Sequence, residues 1–194
     1  MYKYLKHILI YSLILVYSCT DKLKVHERIS LTPAKQIPQT EETKNFNTII
    51  HGFNKYIELA REAIIKHKSG KERIQDFDAV KTDVEKYAKF ISWIEKNLEK
   101  KKELDEAWTE AYNLLEQRRA ENAPEKTLKE YISDALDCAP NYTCQDIKKY
   151  GTQYNQIGIF FEKTFRDIFI NYSDPEEIFI QFKTLDISEI KDNF

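Results

Sequence analysis

The sequence is poor in the residues that turn a polypeptide sharply. It contains 4 glycines and 5 prolines among 194 residues. A fold built of many short strands needs a tight turn every few residues, and glycine and proline supply many of those turns. The scarcity of both argues against an all-β sandwich or barrel and favours long helices.

The residue patterns of common catalytic and metal sites are also missing. No glycine-rich phosphate loop and no nucleophile elbow occurs, and the four histidines show no HExxH spacing. His7 and His26 lie near the N-terminus, whereas His51 and His67 fall on one predicted helix. We therefore expect no enzymatic activity, no metal and no cofactor.

No charge of one sign dominates the chain. The 30 lysines and arginines stand against 32 aspartates and glutamates, a formal net charge of −2. A chain without a basic field is not expected to bind nucleic acid. One group of acids lies on a strongly charged predicted helix, where we interpret it as a solvated face: Glu103, Asp105, Glu106 and Glu110.

Long apolar runs are absent except near the N-terminus. The run Ile8–Val16 follows a short positive flank, is too short to cross a bilayer core of about 20 apolar residues, and ends near a small residue. This is the pattern of an export signal. Cys19 follows Ser18 directly, the arrangement of a bacterial lipoprotein signal. We predict a signal peptide over residues 1–18; the alternative is an ordinary signal that happens to contain a cysteine.

A lipid on Cys19 would attach the mature chain to a membrane. Each buried methylene group contributes roughly 0.8 kcal/mol, so several acyl chains together anchor stably. Residues 19–44 are then the lipidated cysteine and a flexible tether, because this segment combines Pro33, Pro38, mixed charges and no sustained apolar period. A short helix around Leu23–Ile29 is the alternative, although it would be marginal alone.

Residues 45–194 show helical periodicity and predict an all-α domain, a compact bundle of about five to six helices. The first helix should end at Ser69-Gly70. The next stretch, Lys71 to Asn122, contains no breaker, but its two apolar stripes are out of phase, so we predict a break within Glu99–Glu103.

Three further helices are predicted towards the C-terminus. They are a helix around Leu128–Leu136, a central helix from about Gln145 to Asn171 that is apolar on most sides, and a short helix over Glu176–Phe182 before a frayed tail. Asp174-Pro175 supplies the start signal of the last helix.

The remaining cysteines, Cys138 and Cys144, flank one turn. An exported domain folds where disulfides form, and this spacing predicts a bridge. Two reduced thiols are the alternative.

Two features are candidates for ligand binding. Lysines concentrate at the predicted break and could meet sulfated glycans or anionic surfaces: Lys96, Lys100, Lys101 and Lys102. The C-terminal helices are rich in aromatic residues that could form an exposed partner patch, although burial in the core is the favoured interpretation: Phe160, Phe169, Tyr172 and Phe179.

The motifs resemble those of a known group. The segment Asp76-Phe77-Asp78, with Trp93, Trp108 and the run Tyr131–Cys138, is similar to plasmid-encoded outer-surface lipoproteins of Lyme-disease spirochaetes (Borrelia), and within them to the family called orf-D. The resemblance implies surface display, often with binding of host matrix or complement proteins.

The sequence therefore predicts a lipid-anchored, all-α protein of the bacterial outer membrane. Its expected role is host interaction, adhesion or immune evasion, by binding an extracellular-matrix protein, a glycan or a serum protein. A periplasm-facing structural lipoprotein without a host ligand is the leading alternative, and an enzyme comes third.

Overall fold

The computed structural model describes residues 43–138 and 147–192. This part of the chain is all-α and contains no strand, which confirms the predicted fold class. Its helices are α1 Lys44–Lys68, α2 Phe77–Ile94, α3 Leu98–Ala107, α4 Thr109–Asn122, α5 Leu128–Cys138, α6 Gln156–Asn171, α7 Pro175–Lys183 and α8 Ser188–Asp192, with a 3-10 turn at Ile147–Lys149. None of the helices described is long and apolar enough to cross a membrane. The predicted signal peptide, Cys19 and the tether lie outside the described residues.

Two helices share the centre of the bundle. Helix α1 packs against α2, α3, α4, α5 and α6, while α6 packs against α1, α2, α5, α7 and α8. The core between them is aromatic, and its largest fully buried side chains include Phe46, Phe53, Trp108, Phe161, Phe169 and Phe182. The prediction of one central helix was therefore incomplete, because α1 occupies the centre together with α6.

Helix α1 ends where the sequence places its stop. Gly70 has a left-handed backbone with φ of 73°, a conformation that glycine adopts without a steric penalty. Its N–H donates to the carbonyl of His67, and the N–H of Lys71 donates to that of Lys66 at 3.0 Å. This pair of bonds satisfies the last carbonyl groups of α1 in a Schellman motif.

The interruption of the next stretch was predicted in the wrong place. Helix α2 ends at Ile94 and α3 begins at Leu98, so the turn lies at residues 95–97 rather than within Glu99–Glu103. Asn97 fixes the turn, because its side-chain amide donates to the carbonyl of Trp93 at 2.7 Å and closes the end of α2. A polar side chain that caps the end of the preceding helix is a signal that apolar periodicity does not contain.

A second interruption, at Trp108, separates α3 from α4. Its backbone, with φ of −90° and ψ of 6°, departs from the helix. The hydrogen bonds from Trp108 N–H to Leu104 and from Tyr112 N–H to Trp108 nevertheless continue through the site, both at 2.9 Å. The result is a kink at the residue whose indole is fully buried in the core.

Helix α6 is shorter than predicted. It begins at Gln156 rather than near Gln145, because the Asn155 side chain accepts a hydrogen bond from the Gly158 N–H at 2.8 Å and caps the helix there. The preceding residues form a loop closed by the bond from Gln156 N–H to the Tyr150 carbonyl. Tyr154, which lies within the range of the predicted helix, is exposed in that loop.

The prediction of a frayed tail is also wrong, because the last described residues form a helix that packs on the bundle. Helix α8 follows α7 after a short turn, and Ile187 and Ile190 are buried there. Its Lys191 forms an ion pair with Glu110 on α4. The burial of two isoleucines holds the C-terminal segment on the bundle.

Helix α7 has the start that the sequence predicts. The Asp174 carboxylate accepts hydrogen bonds from the N–H groups of Glu176 at 2.9 Å and Glu177 at 3.3 Å. Pro175 occupies the first helical position, where no N–H is needed.

We expect the substitution Asp174→Ala to destabilise the domain by about 1 kcal/mol, because two N–H groups lose their cap. For a domain of this size that corresponds to a fall in Tm of roughly 2–4 °C. Thermal unfolding followed by circular dichroism measures it. Asp174→Asn is the matched control and should retain most of the stability; an alanine variant as stable as wild type would contradict the capping role.

Candidate functional site

A groove lies between α6, α7 and α8. It has a volume of about 300 Å³. Apolar side chains form part of its lining: Ile159, Phe160, Ile168, Tyr172, Leu185 and Ile190. Polar side chains form the rest: Gln156, Lys163, Thr164, Asp167, Asn171, Gln181, Thr184 and Asp186. The lining thus combines six apolar side chains with eight polar ones that could contact a ligand.

The charges in the groove are mixed and leave it slightly acidic. Asp186 accepts a hydrogen bond from the Ser188 N–H at 2.9 Å. Bonds from the backbone and side chain of Ser188 hold the pKa of Asp186 below its usual range, and Lys163 and Lys191 act in the same direction. One lysine and two aspartates thus line the groove. Amide and hydroxyl groups make up the other polar positions, and these pair well with peptide N–H and C=O groups.

The predicted lysine site is held by ion pairs within the domain. Lys100 pairs with Glu176 of α7, and its ammonium lies 4.5 Å from the centre of the Phe179 ring. Lys101 pairs with Glu95 at 2.8 Å and lies 4.8 Å from the Phe46 ring centre. These two lysines fasten α3 to its neighbours.

The surroundings of the lysine turn also cancel its charge. Lys96 borders a shallow surface depression with Lys89 and Trp93, and Lys102 lies on α3. Within residues 95–106 the four lysines stand among five acids: Glu95, Glu99, Glu103, Asp105 and Glu106. Opposite charges within a few ångströms weaken the field that these lysines present to an external anion.

The aromatic residues of the C-terminal helices are core residues, as the favoured interpretation had it. Phe160, Phe169 and Phe179 are buried, and Tyr172 is half-buried at the edge of the groove. The exposed apolar residues of this region are aliphatic instead: Ile159, Ile170 and Ile180. Burial of the three phenylalanines agrees with the favoured interpretation, and two of the named aromatic residues, Phe160 and Tyr172, also line the groove.

Asp105 has a role that the sequence interpretation missed. Its carboxylate accepts a hydrogen bond from the Phe46 N–H at 2.8 Å, and its carbonyl accepts one from the Asn45 side chain at 3.1 Å. It therefore caps the start of α1 from another helix and does not belong to a purely solvated face. No local pattern reveals a cap that lies 59 residues away.

His51 also makes a contact between distant parts of the chain. Its Nε2 lies 2.8 Å from the Ser133 hydroxyl, which joins α1 to α5. Ser133 sits inside α5, where the backbone N–H groups are engaged in the helix and cannot stabilise an oxyanion. The pair is therefore a structural contact and not a nucleophilic site.

The environment of His51 predicts a pH dependence of stability. Burial lowers its pKa from the ordinary value of 6.5, and the nearby Lys129 lowers it further. The unfolded chain therefore takes up this proton first as the pH falls. The contribution of His51 is fully present above pH 6.5 and is lost as the pH drops through the lowered native pKa.

We expect the free energy of unfolding to decrease between pH 7.5 and 5.5, and to decrease less in His51→Gln. Urea titrations at pH 7.5, 6.5 and 5.5 measure both slopes. Glutamine retains a polar group that faces Ser133, so the comparison isolates the titration. Equal slopes in the two proteins would show that His51 does not contribute.

The cysteine bridge stays a prediction, because Cys144 lies outside the described residues. Cys138 ends α5 and is partly buried against the core. Within residues 43–138 and 147–192, no group of three or more histidine, cysteine, aspartate or glutamate side chains is arranged to hold a metal ion.

The all-α domain with a mixed polar groove, preceded by a lipoprotein-type signal sequence, has the organisation of a membrane-anchored helical lipoprotein. The model of the Mlp lipoprotein family matches residues 34–179, well over half of the chain, and the chain belongs to that family. It is similar to lipoprotein MlpJ of Borreliella burgdorferi (strain B31), with 29% identity over 166 residues that cover 84% of this chain and 70% of that protein. No solved structure matches.

The comparisons confirm the expected resemblance to plasmid-encoded lipoproteins of Borrelia. Within that group the matching family is Mlp, whereas the residue motifs alone suggest orf-D. Neither the family nor the relative carries the name of an enzyme. The coarse function that follows is that of a membrane-anchored lipoprotein.

Proposed function

We propose that this lipoprotein is displayed on the outer surface of the outer membrane and binds a host protein through the groove between α6, α7 and α8. The single observation that carries the proposal is the groove itself. It is open, about 300 Å³ in volume, and lined by amide and hydroxyl side chains beside apolar ones. Such a lining suits a polypeptide segment, because peptide groups need both donors and acceptors and apolar side chains need a dry contact.

The charges favour a protein over a sulfated glycan. The groove offers Lys163 against Asp167 and Asp186, and a polysulfated chain would be repelled by the two carboxylates. The lysine turn does not replace the groove as a glycan site, since Lys100 and Lys101 are paired with glutamates. Among extracellular-matrix, glycan and serum ligands, we therefore favour a protein of the matrix or of serum.

A binding screen with blocked-groove variants tests this proposal. The substitution Thr184→Trp places a large ring at the groove wall, and Glu62→Trp places the same ring on the exposed face of α1 as the control. We expect the full-length protein and the Glu62→Trp variant to bind a matrix or serum protein, and Thr184→Trp to bind it at least tenfold more weakly, because the ring fills space that the ligand needs.

The salt dependence of binding separates the groove from the lysine turn. Binding through exposed lysines should weaken steeply between 50 and 300 mM NaCl, because screening acts over about 8 Å at physiological ionic strength. Binding through the groove should change little. Steep loss with salt, together with full binding by Thr184→Trp, would move the site to the lysines.

Anchoring and display are tested on cells. We expect Cys19→Ala to abolish partition into the detergent phase and incorporation of labelled palmitate, because the acyl chains would have no thiol. Protease added to intact cells should degrade the wild-type protein. If the protein is resistant on intact cells and degraded only after the outer membrane is opened, the periplasm-facing structural alternative replaces the host-binding role.

A further inference from the structure

The outer face of α6 carries a row of six side chains around a shallow surface depression: Ile159, Glu162, Lys163, Arg166, Asp167 and Ile170. The two isoleucines are 39% and 56% exposed. A solvent-exposed position on a helix does not require a side chain as large and apolar as isoleucine. Glu162 and Arg166 face each other on the helix at 3.5 Å, and both side chains are about half exposed or more.

The row reads the same in both directions when each residue is described by its class. From Ile159 to Ile170 the order is apolar, acid, base, base, acid, apolar. Two residues separate Ile159 from Glu162, two separate Lys163 from Arg166, and two separate Asp167 from Ile170. The centre of this palindrome lies between Thr164 and Phe165. A two-fold axis at this centre brings the same classes of residue to equal heights on the two helices, so the fit of the charges depends on the flank of the helix that each residue occupies.

We propose that α6 packs antiparallel against α6 of a second copy of this chain, about a two-fold axis at the centre of the row. At 1.5 Å per residue, Ile159 and Ile170 lie about 16 Å apart along the helix. The half-turn therefore places Ile159 of one copy opposite Ile170 of the second copy, at both ends of the contact. Each exposed isoleucine obtains an apolar neighbour.

The charges between the isoleucines are complementary in this arrangement. Glu162 and Arg166 lie on one flank of the row, and Lys163 and Asp167 lie on the other, since successive residues are rotated by 100°. Rotation about the two-fold axis leaves each flank on the same side of the helix pair, so equivalent flanks of the two copies lie next to each other. Glu162 therefore meets Arg166 of the second copy, and Lys163 meets Asp167 of the second copy, with an axial offset of about 1.5 Å.

The contact is small, so membrane anchoring matters to its strength. One helix face buries less than the roughly 1,200 Å² typical of stable complexes, which makes the dimer weak in dilute solution. Confinement of lipoproteins to one membrane leaflet raises their effective concentration and favours a contact of this size. Self-association in this arrangement requires no host ligand.

Charge reversal on vesicles tests the arrangement. Lipidated full-length protein, labelled at the C-terminus with donor or acceptor, is reconstituted into phosphatidylcholine vesicles at several protein-to-lipid ratios, and energy transfer between copies is measured. We expect E162K to weaken association about tenfold, because two attractive contacts become repulsive. R166E should do the same, and the double variant E162K/R166E should recover to within about threefold of wild type.

Cysteine cross-linking tests the orientation. Under mild oxidation, a mixture of I159C and I170C proteins should form a linked dimer, whereas each variant alone should not, because like positions lie too far apart for a disulfide. Wild-type protein is the control for its own cysteines. Linked dimers of I159C alone would indicate a parallel arrangement, and energy transfer no greater than that of randomly placed copies would exclude self-association; either result overturns the proposal.

The binding screen and the vesicle assay test the host-binding role and self-association independently. The vesicles contain no host protein, so a negative result leaves the groove untouched. Ile159, Lys163 and Asp167 border both surfaces, but Glu162, Arg166 and Ile170 border only the outer face of α6, and Thr184 borders only the groove. Thr184→Trp should therefore dimerise like wild type.

Discussion

Replacement of Trp108 by alanine should destabilise the domain by about 3–5 kcal/mol, the range for removing a large aromatic side chain from a core. The indole is fully buried. It stacks on Phe46 with a ring separation of 5.6 Å and meets Phe53 and Phe182 at 6.4 and 5.6 Å. Its N–H donates to the Phe182 carbonyl at 2.8 Å. One side chain thus joins the kink between α3 and α4 to α1 and α7.

Two further variants separate packing from hydrogen bonding at this position. Trp108→Phe keeps most of the apolar contact but leaves the buried Phe182 carbonyl without its donor, which costs about 1–3 kcal/mol. Leu98→Ala, at a position that is 65% exposed, should change the free energy of unfolding by no more than about 0.5 kcal/mol. Urea unfolding measures all three. An alanine variant within 1 kcal/mol of wild type would show that the α3–α4 kink is not held by the indole.

The sequence predicts those parts of the fold that depend on local signals. The stop at Gly70 and the start at Asp174 are both local, since a left-handed glycine and an N-cap followed by proline act within a few residues. Apolar periodicity also identifies the core faces of α1 and α5. These features require no knowledge of which helix packs against which.

The errors arise where a distant contact decides the local structure. The phase conflict in residues 71–122 correctly predicts an interruption. The positions of the two interruptions found depend on the cap formed by Asn97 and on the burial and hydrogen bond of Trp108. Similarly, Asp105 is one of several acids in the sequence, and only its contact with the start of α1 in the folded domain distinguishes it. Sequence separation hides such contacts because periodicity is a property of one helix at a time.

The sequence indicates which helices surround the candidate site but not which side chains line it. The aromatic residues of the C-terminal helices mark the helices that form the groove, although burial is the favoured interpretation of those residues. Which aromatic side chains are buried depends on the rotation of α6, and its neighbours on several sides set that rotation. The lysine turn stays a prediction as a binding site, and its contacts also depend on distant residues, since Glu176 and Phe179 approach Lys100 from a helix far along the chain.

A glycine inside α1 gives the second large prediction, and its sign depends on tertiary structure. Gly52 lies within the helix and is buried. An alanine there would normally stabilise a helix by about 1 kcal/mol. A Cβ atom at Gly52, however, would lie 2.2 Å from Cζ and 2.3 Å from Cε1 of Phe161. The ring is fully buried and meets Phe53 edge-on at 5.0 Å, so it has little space in which to move.

We therefore expect Gly52→Ala to destabilise the domain by about 2 kcal/mol, since overpacking of up to about 3 kcal/mol exceeds the gain in helix propensity. The same substitution in a Phe161→Leu background should be neutral or stabilising, because the smaller side chain vacates the space that the new methyl group needs. Free energies of unfolding for the four proteins of this cycle give the coupling between the two positions. If alanine stabilises both backgrounds equally, the close approach of α1 and α6 at Gly52 does not exist in solution. If it destabilises both equally, the cause lies in the backbone of α1 and not in the Phe161 ring.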